Sequence, residues 1–143
     1  MKDEIIVYTD GACSGNPGKG GWAALIINQQ DEQIIYGSEK LTTNNRMELM
    51  AVIQSLIKIK SNKINIFTDS KYVKNGIEDW IHKWKINGWI TANKQPVKNK
   101  ELWIRVDELN QFHDVSWSWV KGHSGNREND IADMLANKGI DEI

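Results

Sequence analysis

The spacing of the apolar residues changes abruptly at Asn44. Before it, residues 5–41 contain three strand-like segments rich in β-branched residues, separated by polar segments. After it, four apolar residues recur at helical spacing: Leu49, Val52, Ile53 and Leu56. This pattern predicts an amphipathic helix with Asn44 or Asn45 as its N-cap. Strands followed by a helix and then by another strand predict a mixed α/β domain.

The order of the remaining segments limits the topology. The segment 64–69 is strand-like again, and a whole helix separates it from the first three strands. A right-handed crossover therefore lays it parallel to an earlier strand, while the first three strands form an antiparallel meander. Two short helices, a longer helix, a strand and a final helix closed by Gly139 are predicted to follow, at 70–77, 79–86, 99–112, 115–120 and 127–139.

Size and charge exclude several classes of protein. The 143 residues suit one domain covering the whole chain, and the net charge of -1 means that any basic site for a partner is local. Cys13 is the only cysteine, so no internal disulfide forms. The sequence shows no secretory signal and no apolar run long enough for a membrane span. We expect a soluble, cytoplasmic, monomeric protein without a membrane partner.

Two strands are predicted to end in the same way. "VYTDG" and "IFTDS" place Asp10 and Asp69 at matched positions of two strands predicted to run parallel. An antiparallel neighbour on one flank and a parallel one on the other make this edge a switch point, where α/β proteins bind ligands. The alternative is that each aspartate opens a turn or caps the next helix.

Two helices offer further acids. Glu48 lies roughly 90° from the centre of the apolar stripe of its helix, on its edge, although Asn45 and Glu48 also have the spacing of a capping box. In the last helix, Asp133 lies roughly 130° from the apolar centre and Asp130 roughly 170°, which favours Asp133 as the inward acid. The alternative is that both are solvated helix acids.

A site built from Asp10, Glu48, Asp69 and Asp133 requires positive charge, because four carboxylates repel each other. Oxygen ligands alone suit Mg²⁺ or Mn²⁺. Two such ions about 3.5–4 Å apart activate a water and stabilise the leaving oxygen of a phosphoryl displacement. His123, between two glycines before the last helix, has the pKa range of a mobile proton carrier. It is alternatively an exposed loop residue.

Two other segments point to a polymeric, phosphate-bearing partner. The glycine-rich residues 11–21 lack phosphate-loop spacing and are predicted to form a wide turn, in which Asn16 approaches a sugar or a phosphate. Residues 78–105 are locally basic and contain Trp80, Trp84 and Trp89, a combination typical of nucleic-acid binding. Alternatively, the tryptophans belong to the core and the lysines to a solvated face.

Taken in order, "YTDGACSGNPG", "TTNNRMELMA", "TDSKYV", "WVKGHSG" and "ADMLA" resemble the motifs of ribonuclease HI across nearly the whole chain. The resemblance implies a three-layer fold with a five-stranded mixed sheet in the order 3-2-1-4-5. It also implies an endonuclease that uses Mg²⁺ or Mn²⁺ to cut the RNA strand of RNA–DNA hybrids into 5′-phosphate and 3′-hydroxyl ends. Asp10, Glu48, Asp69 and Asp133 match the metal-binding acids, and His123 matches the catalytic histidine.

The resemblance also implies contacts to the hybrid. The hybrid-contacting positions match Cys13, Asn16, Asn44 and Asn45, and a pocket for a DNA phosphate matches Thr43 and Asn99. Trp80 and Trp84 match DNA-strand contacts on a basic protrusion at about 78–100. Two positions depart from the pattern: Leu41 stands where relatives can have Arg, and Lys71 where Gln is frequent. A hybrid-binding module without catalysis and a DNA-directed nuclease of the same fold are the alternatives.

Overall fold

A five-stranded sheet forms the centre of the computed structural model, which describes residues 4–60, 63–122 and 125–143. The strand order is β3-β2-β1-β4-β5, as the resemblance implies. β1 pairs antiparallel with β2 and parallel with β4, and β5 continues the parallel half. The strands are β1 (Ile5–Ser14), β2 (Gly18–Asn28), β3 (Asp31–Thr42), β4 (Lys63–Thr68) and β5 (Asp114–Trp119).

The helical segments are α1 (Asn44–Lys58), α2 (Lys71–Asn75), a π-helical segment (Gly76–Trp80), α3 (Ile81–Ile86), α4 (Lys100–Phe112) and α5 (Arg127–Asp141). The segments from α2 to α3 follow one another without a gap, so one helical run replaces the two short helices predicted from the sequence. Within the described residues, no helix has both the length and the apolar character needed to cross a bilayer.

Helices cover both faces of the sheet and make three layers. Ala24 and Ile26 of β2 belong to the larger core, which also contains residues of α1 and α4. Ala23 of the same strand packs instead against Leu135 and Ala136 of α5. Because successive side chains of a strand point to opposite faces, α1 and α5 lie on opposite sides of the sheet.

The prediction of a wide turn at 11–21 was wrong. β1 continues to Ser14 and β2 begins at Gly18, so only residues 15–17 connect them. The glycines are needed for close packing and do not break the strands. A Cβ atom on Gly11 would lie 2.4 Å from the backbone nitrogen of Glu48, and one on Gly21 would lie 2.0 Å from the carbonyl oxygen of Ala136.

Gly139 does not end the last helix. α5 continues to Asp141, with Gly139 buried inside it. A Cβ atom at Gly139 would lie 2.6 Å from the carbonyl oxygen of Gly37 in β3. Glycine therefore lets α5 rest directly on the sheet, and its role here is packing in the same way as that of Gly21.

The N-cap of α1 is Thr43, so the prediction of Asn44 or Asn45 was wrong. Thr43 has extended backbone angles (φ -127°, ψ 161°), and its hydroxyl accepts a hydrogen bond from the N–H of Arg46 at 3.2 Å. Asn44 and Asn45 already lie in the first turn. The capping box of Asn45 and Glu48 is therefore excluded as the explanation for Glu48.

Gly76 gives a test of the larger core. A Cβ atom there would lie 2.0 Å from Cη2 of the buried Trp103. We expect Gly76→Ala to lower the free energy of unfolding by about 1–3 kcal/mol, because overpacking forces the ring to move. Urea denaturation measures the change. Asn75→Ala, at the exposed neighbouring position, is the control, and an equal loss in both variants contradicts the packing argument.

Candidate active site

Three of the predicted acids meet at one edge of the sheet. Parallel pairing of β1 with β4 ends at Thr9 and Thr68, so the next residues are Asp10 in β1 and Asp69 directly after β4. Glu48 approaches from α1, because Gly11 lets that helix contact β1. Each of the three carboxyl groups has an oxygen within 4.8 Å of an oxygen of the other two. The predicted meeting of these three side chains is confirmed.

Burial of these acids has an electrostatic cost. Asp10 is 4% exposed and Glu48 is 5% exposed. Burial, followed by the charges of Glu48 and Asp69, raises the pKa of Asp10 to about 10. Burial and then Asp69 also raise the pKa of Glu48 well above its ordinary value, although the Gly11 N–H donates to its carboxylate. The carboxylate forms are thus unfavourable unless a cation compensates them.

Asp133 is the fourth acid at this edge. It is half-buried on α5, and its carboxyl group is near enough to Asp10 to raise the pKa of Asp10 further. Asp130, three residues earlier, is exposed. The helical-phase argument therefore identified which of the two aspartates faces the other acids.

The donor atoms fit a hard divalent cation. All four side chains offer carboxylate oxygens, and such ligands suit Mg²⁺ or Mn²⁺. Oε1 of Glu48 is buried and has no hydrogen-bond partner among the described residues. A buried carboxylate oxygen without a donor is unusual, and a metal ligand is its simplest use.

Sequence reasoning missed Asn129. Its Nδ2 donates to Oδ2 of Asp69 at 3.3 Å, and it is 2% exposed. The backbone N–H of Asn129 in turn donates to the side chain of Asn126, which caps α5. One signal was present in the sequence: Asn129 lies four residues before Asp133 and therefore on the same face of the helix.

His123 lies outside the described residues. Its neighbour Gly122 contacts the acid cluster, since a Cβ atom at Gly122 would lie 3.0 Å from Oδ2 of Asp69. Gly122, the described residue before His123, therefore lies beside Asp69. The proton-carrying role of His123 stays a prediction.

The four residues matched to hybrid contacts come from two neighbouring segments: Cys13, Asn16, Asn44 and Asn45. Oδ1 of Asn16 accepts a hydrogen bond from the backbone N–H of Asn44 at 3.1 Å, which joins the β1–β2 turn to α1. The thiol of Cys13 donates to the carbonyl oxygen of Gly15 at 2.7 Å. These contacts make one partly exposed surface close to Glu48.

The tryptophans of the basic segment are half-buried and contact the larger core. Ring centroids of Trp80 and Trp84 lie 5.9 Å apart, and those of Trp84 and the buried Trp103 lie 5.6 Å apart. A surface cavity of about 380 Å³ is lined by Tyr72, Trp80, Trp84, Thr91, Val97 and Lys98. The tryptophans therefore pack against the core and also line an open groove. The alternative that they are simply core residues describes only part of their surroundings.

The fold and the acid cluster define a class: an α/β domain with an oxygen-ligand site for a divalent cation at the switch point of its sheet. The RNase H family model matches residues 2–141. Ribonuclease H of Wolbachia pipientis wMel is 58% identical over 140 residues, which is 97% of each chain. Ribonuclease H of Francisella tularensis subsp. novicida (strain U112) is 57% identical over 143 residues, 99% of this chain and 94% of that one. The chain belongs to the RNase H family.

Solved structures support the same assignment. LC9-RNase H1, a type 1 RNase H with the type 2 active-site motif, has a TM-score of 0.89 at 30% identity and matches 99% of this chain and 74% of its own. LC11-RNase H1, solved in complex with an RNA/DNA hybrid, has a TM-score of 0.74 at 22% identity and shows the likeness of fold. That match covers 96% of this chain and 97% of the LC11 chain.

The acid cluster predicts an unusual pH dependence of stability for the metal-free protein. The pKa of Asp10 is about 10 in the folded state against an ordinary 3.8, so the folded state binds more protons between these values. The contribution of Asp10 to stability is therefore full below pH 3.8 and is lost as the pH rises towards 10. Asp10→Asn should raise the free energy of unfolding at pH 8 by about 1–3 kcal/mol, because asparagine does not ionise and the folded protein no longer has to hold a proton that the unfolded chain releases.

Chemical denaturation in a chelator, at several pH values, measures both effects. Asp130→Asn is the matched control, since Asp130 is exposed on the same helix as Asp133. Adding Mg²⁺ should stabilise the unchanged protein and the control more than Asp10→Asn. A variant Asp10→Asn that is less stable than the unchanged protein at pH 8 contradicts the electrostatic argument.

Proposed function

We propose that this ribonuclease H hydrolyses internal phosphodiester bonds of the RNA strand in RNA–DNA hybrids and leaves 5′-phosphate and 3′-hydroxyl ends. The observation that carries the proposal is the cluster of Asp10, Glu48 and Asp69 within 4.8 Å, with Asp133 near enough to raise the pKa of Asp10. Membership of the family and the hybrid bound by the related LC11-RNase H1 support the choice of substrate.

The four acids Asp10, Glu48, Asp69 and Asp133 would hold the cation, which we take to be Mg²⁺, with Mn²⁺ as a substitute. When bound, a divalent cation at this edge supplies positive charge for the phosphate and lowers the pKa of water. The unpartnered Oε1 of Glu48 and the raised pKa of Asp10 support this use of the acids.

The remaining parts of the chain orient the acids and move the proton. Asn129 of α5 donates a hydrogen bond to Asp69 and fixes that carboxylate, while the close packing of α1 on Gly11 of β1 positions Glu48. We assign His123 as the group that carries a proton to or from the attacking water or the leaving oxygen. The position of Gly122 against Asp69 supports this assignment.

Recognition of the hybrid is assigned to three surfaces. The surface of Cys13, Asn16, Asn44 and Asn45 takes the RNA strand through its 2′-hydroxyl groups. Thr43 and Asn99 take a phosphate of the DNA strand, and Trp80 and Trp84 contact that strand beside the basic protrusion at 78–100. Leu41 is 74% exposed and carries no charge, so affinity should depend less on salt here than in a relative with Arg at this position.

The assembly and location are part of the proposal. We take the chain to act as a single-domain monomer in the cytoplasm. One continuous sheet from β1 to β5 supports the single domain. The free thiol of Cys13 is compatible with a reducing compartment.

A panel of duplexes tests the reaction. Uniformly labelled RNA–DNA, RNA–RNA and DNA–DNA duplexes of one sequence are incubated with Mg²⁺, and the products are separated by size. We expect cuts inside the RNA of the hybrid alone, with 5′-phosphate ends. Binding without cuts indicates a hybrid-binding module, and preferential cutting of a DNA duplex indicates a DNA-directed nuclease. Either result contradicts the proposal.

Acid variants separate binding from chemistry. Asp10→Asn and Asp69→Asn should each lower the rate of hybrid cleavage by at least about 100-fold, because they remove ligands of the cation. Their affinity for the hybrid, measured by fluorescence anisotropy in Ca²⁺, should change by less than about 3-fold. Asp130→Asn should cut at the normal rate. Normal cleavage by Asp10→Asn rejects the assigned site.

A further inference from the structure

We propose that Tyr72 and Arg46 are positioning residues that fix the side-chain amide of Asn99 in one orientation, with an N–H available for a phosphate oxygen of the uncut DNA strand. The inference rests on the proposed function. Neither Tyr72 nor Arg46 is assigned a role in the reaction by the motifs of the sequence. The evidence is a chain of hydrogen bonds that joins α1, α2 and α4.

Asn99 is the residue immediately before α4, and its side chain is held at both ends. Its backbone is left-handed (φ 60°, ψ 30°). Nη1 of Arg46 donates to its Oδ1 at 3.1 Å, and its Nδ2 donates to the hydroxyl of Tyr72 at 3.0 Å. Nε1 of Trp103 donates to the same hydroxyl at 2.8 Å. Two elements distant in sequence, α1 and α2, therefore bond to this amide, and α4 holds the Tyr72 hydroxyl through Trp103.

The donors decide which way the amide faces. A guanidinium group has no acceptor, so the side of Asn99 that contacts Arg46 must be the oxygen. The amide nitrogen then faces Tyr72. An indole N–H also only donates, so the Tyr72 oxygen accepts from Trp103 and still has a lone pair for Asn99. The reversed amide would place N–H against N–H at Arg46, and the network excludes it.

Tyr72 is itself fixed by the core. Its ring centroid lies 5.3 Å from that of the fully buried Trp103 and 5.6 Å from that of Trp80. The hydroxyl therefore has a fixed position relative to α4. The second hydrogen of the Asn99 amide takes part in no hydrogen bond among the described residues, and its direction is set once the first is bonded to Tyr72.

The charges nearby explain why this orientation matters. Arg46 also pairs with Glu101, so its positive charge is shared with a carboxylate. Leu41 contributes no charge and is 74% exposed. A phosphate oxygen only accepts hydrogen bonds, so it gains from an N–H and is repelled by a carbonyl oxygen. Lys98 and Lys100 flank Asn99 and attract a phosphate without fixing its position, so the orientation of Asn99 determines whether its amide adds an attraction or a repulsion.

Tyr72→Phe tests the inference because it removes one hydroxyl and keeps the ring. We expect the KM for the hybrid to rise about 2- to 10-fold, the range that one hydrogen bond supports, with kcat changed by less than 2-fold. Tyr36→Phe is the matched control, since the Tyr36 hydroxyl also makes one side-chain hydrogen bond, to Glu142 at 3.0 Å, on β3. The control should leave KM unchanged.

A double-mutant cycle links the effect to Asn99. Asn99→Ala should raise KM, and adding Tyr72→Phe to it should raise KM no further, because Tyr72 acts through that amide. A full additional rise in the double variant overturns the inference. An unchanged KM in Tyr72→Phe, or a loss confined to kcat, also overturns it.

The substrate can be varied in the same experiment. Hybrids carrying one methylphosphonate, at successive DNA linkages, remove one charged phosphate at a time. For the unchanged protein we expect one linkage at which KM rises, and for Tyr72→Phe a smaller rise at that linkage. Equal rises in both proteins show that Tyr72 does not orient the phosphate contact.

Spectroscopy covers the case of an unstable variant. Loss of the Tyr72 hydroxyl leaves the Trp103 N–H without its partner, so assays are run where circular dichroism shows both proteins folded. The Asn99 side-chain amide resonances, assigned with Asn99→Ala, should shift in Tyr72→Phe and also in Arg46→Met. Unchanged resonances in both variants overturn the inference. If the unchanged protein does not cut the hybrid, the proposed function fails, whatever the resonances show.

Discussion

Repulsion among buried carboxylates is the constraint on which the rest of this structure depends. Asp10 lies in the central strand with a strand on either side, and Glu48 lies on a helix that contacts that strand through Gly11. Neither side chain can move away from the other without disturbing the core. The packing free energy of the domain therefore holds together groups that would separate in water. Rigid elements suit a cation site, because a site on mobile loops would relax and lose its geometry.

Much of this arrangement follows from patterns in the sequence. The strand, helix and strand spacing places Asp10 and Asp69 on adjacent strands, and helical phase separates Asp133 from Asp130. The turn at 11–21 and the end of the last helix at Gly139 were misjudged for one physical reason. The sequence alone does not distinguish a glycine that ends a strand or helix from a glycine that allows close packing. The difference depends on the backbone that lies against it. Thr43 was missed as N-cap because two asparagines beside it have the same preference.

Other features depend on contacts between distant segments. Asn99 reaches Tyr72, 27 residues away, and Arg46, 53 residues away, and no local pattern encodes either pairing. Trp80 and Trp84 likewise have two roles that depend on contacts with distant segments. Trp80 and Trp84 line a groove on the outside and contact the core on the inside, so the surface proposed for DNA is stiffened by the core itself. The exposed ion pair of Lys83 with Asp79 adds little to stability, so Lys83 can exchange this partner for a phosphate.

The close packing of α5 on the sheet limits which residues can occupy two glycine positions. Backbone meets backbone where this helix crosses the sheet, at Gly21 with Ala136 and at Gly139 with Gly37. Any larger residue at 21 or 139 lifts the helix, and Asp133 travels with it while the other three acids stay in place. Two glycines, which have no reactive side chain, thereby set the distance between Asp133 and Asp10. The thickness of the gap between one helix and the sheet therefore controls the geometry of an acid cluster that neither glycine belongs to.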